Sequence, residues 1–155
     1  MHEEFYTFRE YMKKESENLS PSEEDYMEMI YRLSLDYGFT RVNDLAQALN
    51  VQPPSVSKMI QKLAEQKYIN YEKYGVIMLS ERGIKIGKAL LSRHNIVEEF
   101  LKLLGVKDGL LEETEKIEHT INNEILVGIK DLICFFKENG EVNDFFQEYR
   151  KQREE

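Results

Sequence analysis

The sequence predicts a mainly α-helical protein with one small β-hairpin, and three observations favour this class. Apolar residues recur every three or four positions along most of the chain, which is typical of amphipathic helices. Residues 68–80 break this pattern and are typical of two short strands that turn near Tyr74-Gly75. The composition, 41% hydrophobic and 32% charged, is ordinary for a soluble helix-rich protein and excludes a disordered chain.

The first predicted elements are two helices separated by a short linker. Residues 4–14 alternate aromatic residues with charges and predict a short amphipathic helix. The second helix begins at Ser20-Pro21 or Ser22, and acidic residues in its first turn suit the helix dipole. Gly38 ends this second helix. The apolar positions of the two helices are Phe5, Phe8 and Tyr11, then Tyr26, Met29, Ile30 and Leu33.

Two further helices follow, joined by a proline turn. The first spans about residues 40–49, with Asn43 or Asp44 as its expected cap. Pro53 disfavours the helical conformation of the residue before it, whereas Pro54 fits the first turn of a helix. The next helix therefore runs from Ser55 to about Gln66. Its predicted outward residues are Ser55, Ser57, Lys58, Gln61 and Lys62.

After the hairpin, a long helix begins at about Leu79-Ser80 and ends near Gly105. Helical segments are then expected over about 110–122, 124–138 and 142–151, with Gly140 as a stop. The predicted domains are an N-terminal helical extension (1–19), a DNA-binding domain (20–90) and a helical domain (91–155). The boundary falls within the long helix, because the sequence has no flexible linker there.

Charge and cysteine content limit the function classes. The net charge is −8, but residues 52–93 carry eight basic residues against three glutamates, a local charge of +5. The rest of the chain carries −13. The single cysteine, Cys134, excludes a disulfide framework within the chain. With no signal peptide and no apolar run long enough to cross a bilayer, a soluble cytoplasmic protein without a membrane partner is expected.

The order helix, turn, helix, hairpin is the plan of a winged helix-turn-helix domain. The helix from Ser55 to about Gln66 would be the recognition helix, and the hairpin would be the wing. Serine and glutamine can reach base edges or phosphates, while lysine neutralises phosphate charge. A solvated face of a small helical domain explains the same residues, but the helix order, the proline turn and the local +5 favour DNA. The predicted DNA-binding residues are Pro54, Ser55, Ser57, Lys58, Gln61, Lys62 and Lys73.

Acids and histidines form three clusters that contain no sulfur. Asp25 and Glu28 are three positions apart, and Glu115 is three and four positions before Glu118 and His119, so each group shares a helix face. His94 lies on the long helix. Carboxylate and imidazole ligands suit a hard or borderline divalent ion such as Mn²⁺ or Fe²⁺. The predicted metal ligands are Asp25, Glu28, His94, Glu115, Glu118 and His119.

Two alternatives use the same residues. The acids could be solvated helix faces of a metal-independent winged-helix regulator, since acids three apart are frequent on exposed faces. A di-metal enzyme is disfavoured, because Glu-x-x-Glu-His occurs once and a carboxylate di-iron bundle needs Glu-x-x-His on two helices. The metalloprotease motif His-Glu-x-x-His is absent. We therefore predict no catalytic residues and no small-molecule substrate.

Several stretches resemble the diphtheria toxin repressor family, in its manganese-transport regulator branch. The resemblance covers roughly Ser20 to Tyr149. It rests on Glu24-Asp-Tyr-Met-Glu-Met-Ile-Tyr, Arg41-Val-Asn-Asp-Leu-Ala, Pro54-Ser-Val-Ser-Lys-Met-Ile-Gln-Lys-Leu, Tyr71-Glu-Lys-Tyr, Arg93-His94 and Ile117-Glu-His. Two departures are Thr120, where relatives often carry a second histidine, and the first twenty residues, which form an extension.

This resemblance implies a homodimeric, metal-dependent repressor of metal-uptake genes that binds double-stranded operator DNA. The family's ligands fall on the six acids and histidines named above. The iron-sensing branch has methionine at position 25 and cysteine at position 115, so Asp25 and Glu115 favour the harder Mn²⁺ over Fe²⁺. The resemblance also implies two ions per subunit, with metal linking the DNA-binding and all-helical dimerisation domains. An iron-responsive repressor of the same family is the alternative.

Overall fold

The computed structural model describes residues 18–153, which form two compact units that meet in sequence between Ser92 and Arg93. The predicted helix over residues 4–14 lies outside the described residues. The predicted class, mainly α with a small β-sheet, is confirmed. The predicted domain limits remain predictions. Within residues 18–153, no helix has both the length and the apolar character needed to cross a membrane.

The first unit contains the predicted helix-turn-helix and hairpin, together with a strand that the sequence did not predict. Thr40–Arg41 pairs antiparallel with the second hairpin strand, so the sheet has three strands rather than two. The elements in order are α1 (Pro21–Ser34), β1 (Thr40–Arg41), α2 (Val42–Leu49), α3 (Pro53–Glu65), β2 (Ile69–Tyr71), a 3-10 turn (Lys73–Gly75), β3 (Val76–Leu79) and α4 (Glu81–Leu103), which continues into the second unit.

Serine side chains cap the first turns of two helices in this unit, α1 and α4. The cap of a third helix, α2, differs from the predicted one. Ser20 caps α1 in a capping box, accepting the Glu23 N–H while the Glu23 carboxylate accepts the Ser20 N–H. The Ser80 hydroxyl accepts the Gly83 N–H at the start of α4. The predicted cap at Asn43 or Asp44 is wrong, because β1 pairing keeps Arg41 extended and α2 begins directly after it.

One apolar core lies between the helices and the sheet of the first unit. The predicted stripe of α1 lies on this core, with Tyr26 and Ile30 buried and Met29 and Leu33 partly buried against it. Each fully buried leucine or isoleucine contributes about 1.5–3 kcal/mol. Ile84 of α4 is exposed and lies outside the core. The most deeply buried members are Met27, Ile30, Leu45, Val56, Ile60, Leu63, Tyr68, Ile77, Ile86 and Leu90.

The second unit is helical throughout its described residues. After the end of α4 it contains α5 (Leu110–Glu118), α6 (Asn123–Glu138) and α7 (Gly140–Lys151). Gly140 does not act as the predicted stop, because it is the first residue of α7. The chain changes direction at Asn139, whose φ and ψ of −122° and 68° are not helical. Phe136 and Phe146 hold α6 and α7 together, with ring centroids 5.2 Å apart.

Two glycines of α4 allow close packing within the first unit. A Cβ on Gly83 would lie 2.0 Å from the backbone oxygen of Tyr68, next to the wing. A Cβ on Gly87 would lie 2.6 Å from the Cβ of Tyr31, which belongs to α1. These positions let α4 approach both the hairpin and α1, and a larger residue would push them apart.

We expect Gly83→Ala to lower the free energy of unfolding by roughly 1–3 kcal/mol, the cost of overpacking, since the opposing atom is backbone and cannot rotate away. Gly128→Ala is the matched control. Nothing lies within 4 Å of its added Cβ in α6, and alanine favours helix by up to about 1 kcal/mol. Urea unfolding followed by circular dichroism compares the two. Equal stability of Gly83→Ala and wild type would contradict the close approach.

Candidate metal centre and DNA-reading surface

The first pair of predicted metal ligands lies on α1. Asp25 is exposed and Glu28 is half-buried one turn later. Glu28 forms an ion pair with Arg32, with Oε2 and Nη2 2.9 Å apart. Helix α1 packs against α2 and the sheet. Both carboxylates therefore lie on a helix that is held in place by the core of the first unit, called the DNA-reading unit below.

The second unit brings His94 of α4 next to Glu118 of α5. His94 Nδ1 lies 2.9 Å from Glu118 Oε2, and both side chains are buried. The other ring nitrogen, Nε2, lies 3.4 Å from Glu98 Oε2. A hydrogen bond from Lys102 holds the pKa of the Glu98 carboxyl below its usual value. Glu98 is not among the predicted site residues, although its position four residues after His94 on one helix was a usable signal.

His119 follows directly after the last residue of α5 and caps its C-terminus. Its Nε2 faces Glu118 Oε1 at 3.8 Å, and its Nδ1 lies 3.3 Å from Nη2 of the buried Arg93. Glu115, one turn earlier on α5, is exposed. The second unit therefore brings His94, Glu118 and His119 together.

These residues fit a divalent cation in their donor chemistry. Two imidazoles beside one buried carboxylate, with no sulfur, suit Mn²⁺, Fe²⁺ or Zn²⁺. Burying Glu118 without a compensating partner would cost several kcal/mol, which the contact with His94 reduces. The joining of these residues with Asp25, Glu28 and Glu115 in one six-ligand set remains a prediction.

Helix α3 presents the predicted recognition surface. It begins with Pro53 and Pro54 in its first turn, after Gln52 in an extended conformation (φ −80°, ψ 142°). Its apolar residues face the core, and its polar ones face outward. Pro54, Ser55, Lys58, Gln61 and Lys62 are exposed, and Ser57 is half-buried.

Lys62 differs from Lys58 because its ammonium group is bound by a buried acid. Lys62 Nζ lies 2.6 Å from Glu23 Oε1, and the Glu23 side chain is only 3% exposed. Burial works to raise the pKa of Glu23, but Lys62 and the Ser20 N–H hold that pKa below its usual value. The pair ties the recognition helix to α1, and the sequence gave no signal of it because its partners are 39 residues apart.

The wing is supported by a residue that the sequence analysis did not select. Arg41 Nη1 donates a hydrogen bond to the backbone oxygen of Tyr74 at 3.2 Å, which ties β1 to the tip of the hairpin. Tyr74 adopts a left-handed conformation (φ 67°) and is 90% exposed. Lys73, the predicted wing contact, begins the same turn. A cleft of about 370 Å³ opens between the wing and the start of α2, next to Ser57 of α3. It is lined by Arg41, Val42, Asn43, Asp44, Ser57, Tyr71, Tyr74 and Gly75.

Two protein-family models together match nearly the whole described part of the chain. Residues 18–77 match the model of the iron dependent repressor N-terminal DNA-binding domain, and residues 80–146 match the model of the iron dependent repressor metal-binding and dimerisation domain. The HTH-type transcriptional regulator MntR of Shouchella clausii is 43% identical over 87% of this chain and 95% of its own. MntR of Bacillus subtilis is 40% identical over 87% of this chain and 96% of its own.

Similar solved structures belong to longer proteins. The metal-dependent transcriptional regulator MtsR has a TM-score of 0.67 and the manganese regulator SloR one of 0.65, each at 27% identity. Both matches cover 76% of this chain and 55% of the longer one. The chain thus spans about half the length of these two solved proteins.

We expect Lys58→Ala and Lys62→Ala to differ in the salt dependence of DNA binding. A lysine that neutralises one phosphate contributes about 0.9 to the slope of log K against log salt, so Lys58→Ala is expected to reduce the slope by about that amount. Lys62→Ala is expected to change the slope less, because Glu23 already compensates its charge. Fluorescence anisotropy with a DNA duplex from 50 to 200 mM salt measures both slopes.

The same two variants are also expected to differ in stability. Lys62→Ala leaves Glu23 buried without its cation, and we expect a loss of about 1 kcal/mol in the free energy of unfolding, a value kept small because the lysine is half exposed. Lys58→Ala is expected to stay within about 0.5 kcal/mol of wild type. Equal slopes and equal stabilities would contradict the structural role of the Glu23–Lys62 pair.

Proposed function

The chain belongs to the iron dependent repressor family, in its manganese-transport regulator branch, and on that premise we propose that metal binding controls how it represses transcription. It is a DNA-binding, manganese-responsive transcriptional repressor and not an enzyme. Its partners are operator DNA and a second copy of the chain. A cytoplasmic location and control of metal-uptake genes are what this function leads us to expect.

We propose that six side chains hold the metal: Asp25, Glu28, His94, Glu115, Glu118 and His119. The observation that carries this proposal is the buried contact of His94 with Glu118, because a carboxylate is rarely buried without a cation or a strong donor. Carboxylates at positions 25 and 115 favour Mn²⁺ over softer ions, with Fe²⁺ as the alternative. The proposal includes two ions per subunit, which these six side chains would hold.

The bound cation supplies positive charge that offsets the mutual repulsion of these carboxylates. Asp25 and Glu28 then contribute ligands from α1, which packs against the helix-turn-helix, while the other four ligands come from the second unit. Metal would therefore link the DNA-reading unit to the dimerisation unit and fix the spacing of two recognition helices on a palindromic operator. This mechanism requires only that the conformation able to bind operator DNA bind metal more tightly than the protein's other conformations do.

For DNA, we propose that α3 lies in the major groove and the wing contacts the backbone. Exposed serine and glutamine hydrogen-bond to bases or phosphates. Lysine supplies positive charge within residues 52–93, which carry a net +5 while the rest of the chain carries −13. α3 contains no arginine, so the common bidentate guanine contact is not available from this helix. The proposed contacts are Pro54, Ser55, Ser57, Lys58, Gln61, Lys62 and Lys73.

The second unit exposes several large apolar side chains. Phe145 is 74% exposed, and other large apolar side chains of α5, α6 and α7 are also exposed. Apolar side chains that together form a large exposed patch mark interaction sites. We propose this surface as the homodimer interface, formed by Leu111, Ile125, Leu132, Phe135, Val142, Phe145 and Tyr149.

We expect Mn²⁺ to increase DNA affinity at least tenfold in wild type, and Glu115→Ala to remove most of this increase because one ligand is lost. Glu112→Ala is the control, since Glu112 is exposed on the same helix and pairs with Lys116. DNA binding is titrated with Mn²⁺, Fe²⁺ and Zn²⁺ after treatment with a chelator. Zn²⁺ should bind the protein tightly, because Mn²⁺ is the weakest binder of the series, so activation rather than affinity identifies the effector.

Three outcomes of that titration would decide between the alternatives. Equal DNA binding with metal and with chelator would favour a metal-independent winged-helix regulator. Stronger activation by Fe²⁺ than by Mn²⁺ would favour the iron-responsive alternative. Identical Mn²⁺ responses of Glu115→Ala and Glu112→Ala would remove Glu115 from the ligand set.

We expect Phe145→Glu to convert the dimer into a monomer and to weaken operator binding about as much as the loss of one half-site, since a charge cannot be buried in an apolar interface without a partner. Tyr37→Glu is the control, because Tyr37 is equally exposed but lies in the first unit. Sedimentation velocity gives the mass of each variant. A dimer of unchanged strength in Phe145→Glu would place the interface elsewhere.

A further inference from the structure

Arg93 is buried directly beside a proposed metal ligand of its own unit. Its Nη2 lies 3.3 Å from His119 Nδ1, and the arginine is 6% exposed. The opposite ring nitrogen, His119 Nε2, faces Glu118. The imidazole therefore has one side turned to a guanidinium and the other side turned to the carboxylate of the proposed metal site.

This contact determines where the imidazole carries its hydrogen. A guanidinium stays charged in proteins and can only donate hydrogen bonds. His119 Nδ1 must then accept, which requires a neutral ring with its hydrogen on Nε2. An imidazole binds a metal through an unprotonated nitrogen. In the arrangement that Arg93 selects, the nitrogen facing Glu118 is the protonated one.

Neither nitrogen of His119 can bind metal while this contact is kept. Binding through Nδ1 requires Arg93 to leave that lone pair. Binding through Nε2 requires the ring hydrogen to move to Nδ1. The Nδ1–H would then face the N–H of Arg93, and two donors cannot form a hydrogen bond. Either way the Arg93–His119 hydrogen bond must break before or as the cation binds.

We infer that Arg93 competes with the divalent cation for His119 and thereby raises the metal concentration at which the repressor responds. The inference rests on the proposed function, since it takes His119 as a ligand. Arg93 is a positioning residue in this account: it acts on His119 and does not itself bind the metal. The sequence placed Arg93 next to a ligand, but only the fold places its side chain against the other histidine.

The tautomer can be measured directly in wild type. The full chain, labelled with ¹⁵N-histidine and treated with a chelator, is studied by long-range ¹H–¹⁵N correlation NMR at neutral pH, with His119 assigned by its absence in His119→Gln. We expect an unprotonated Nδ1 and a protonated Nε2. A protonated Nδ1 in the wild-type protein would overturn the inference.

The competition itself is measured as Mn²⁺ affinity in the absence of DNA, by competition with a fluorescent chelator. We expect Arg93→Gln to bind Mn²⁺ about tenfold more tightly, the effect of about 1.4 kcal/mol for one charge-assisted hydrogen bond. Lys116→Gln is the control for charge alone, since Lys116 is exposed on α5 and pairs with Glu112 and Glu113. We expect it to change the affinity less than about twofold.

The outcomes separate this inference from the proposed function. Unchanged or weaker Mn²⁺ binding by Arg93→Gln, or an equal gain in Lys116→Gln, would overturn the competition. A wild-type protein that binds no Mn²⁺ would instead contradict the proposed function. If Arg93→Gln does not fold, as judged by its circular dichroism melting curve, the tautomer measurement on wild type still decides the question.

Discussion

The buried contact between His94 and Glu118 is the constraint on which the second unit depends. A carboxylate and an imidazole removed from water need donors, acceptors or a cation close by, and here each provides part of what the other needs. Glu98 and His119 extend the same set, and Arg93 fixes the ring of His119.

In the DNA-reading unit, a buried carboxylate is compensated by a lysine rather than by a histidine. The chain is acidic overall, yet its recognition helix and its surroundings are basic. Glu23 takes up the charge of Lys62 and joins the recognition helix to α1, the helix that also carries Asp25 and Glu28. Lys62 is thus held in an ion pair within the fold, whereas Lys58 on the same helix is proposed to attract phosphate, and exposure alone does not distinguish the two.

Much of the fold and part of the site could be predicted from sequence. The spacing of apolar residues predicted the helices, the hairpin and the recognition helix, because these patterns are local. The predicted cap of α2, Asn43 or Asp44, was wrong, because Arg41 pairs with Val76, 35 residues later, and is held extended directly before the helix. Gly140 was taken for a stop because glycine is a poor helix former, yet the break lies one residue earlier, at Asn139.

The sequence by itself determined the family, the mainly helical winged-helix class and the sulfur-free set of acids and histidines from which the metal ligands are proposed. Those features depend on which residues are present and on spacings along single helices. Tertiary structure alone decided which side chains meet: His94 with Glu118 across 24 residues, Lys62 with Glu23, and Arg93 with His119. The physical reason is that pairing between distant residues depends on how whole helices pack, and no local periodicity records which polar side chains share a buried space.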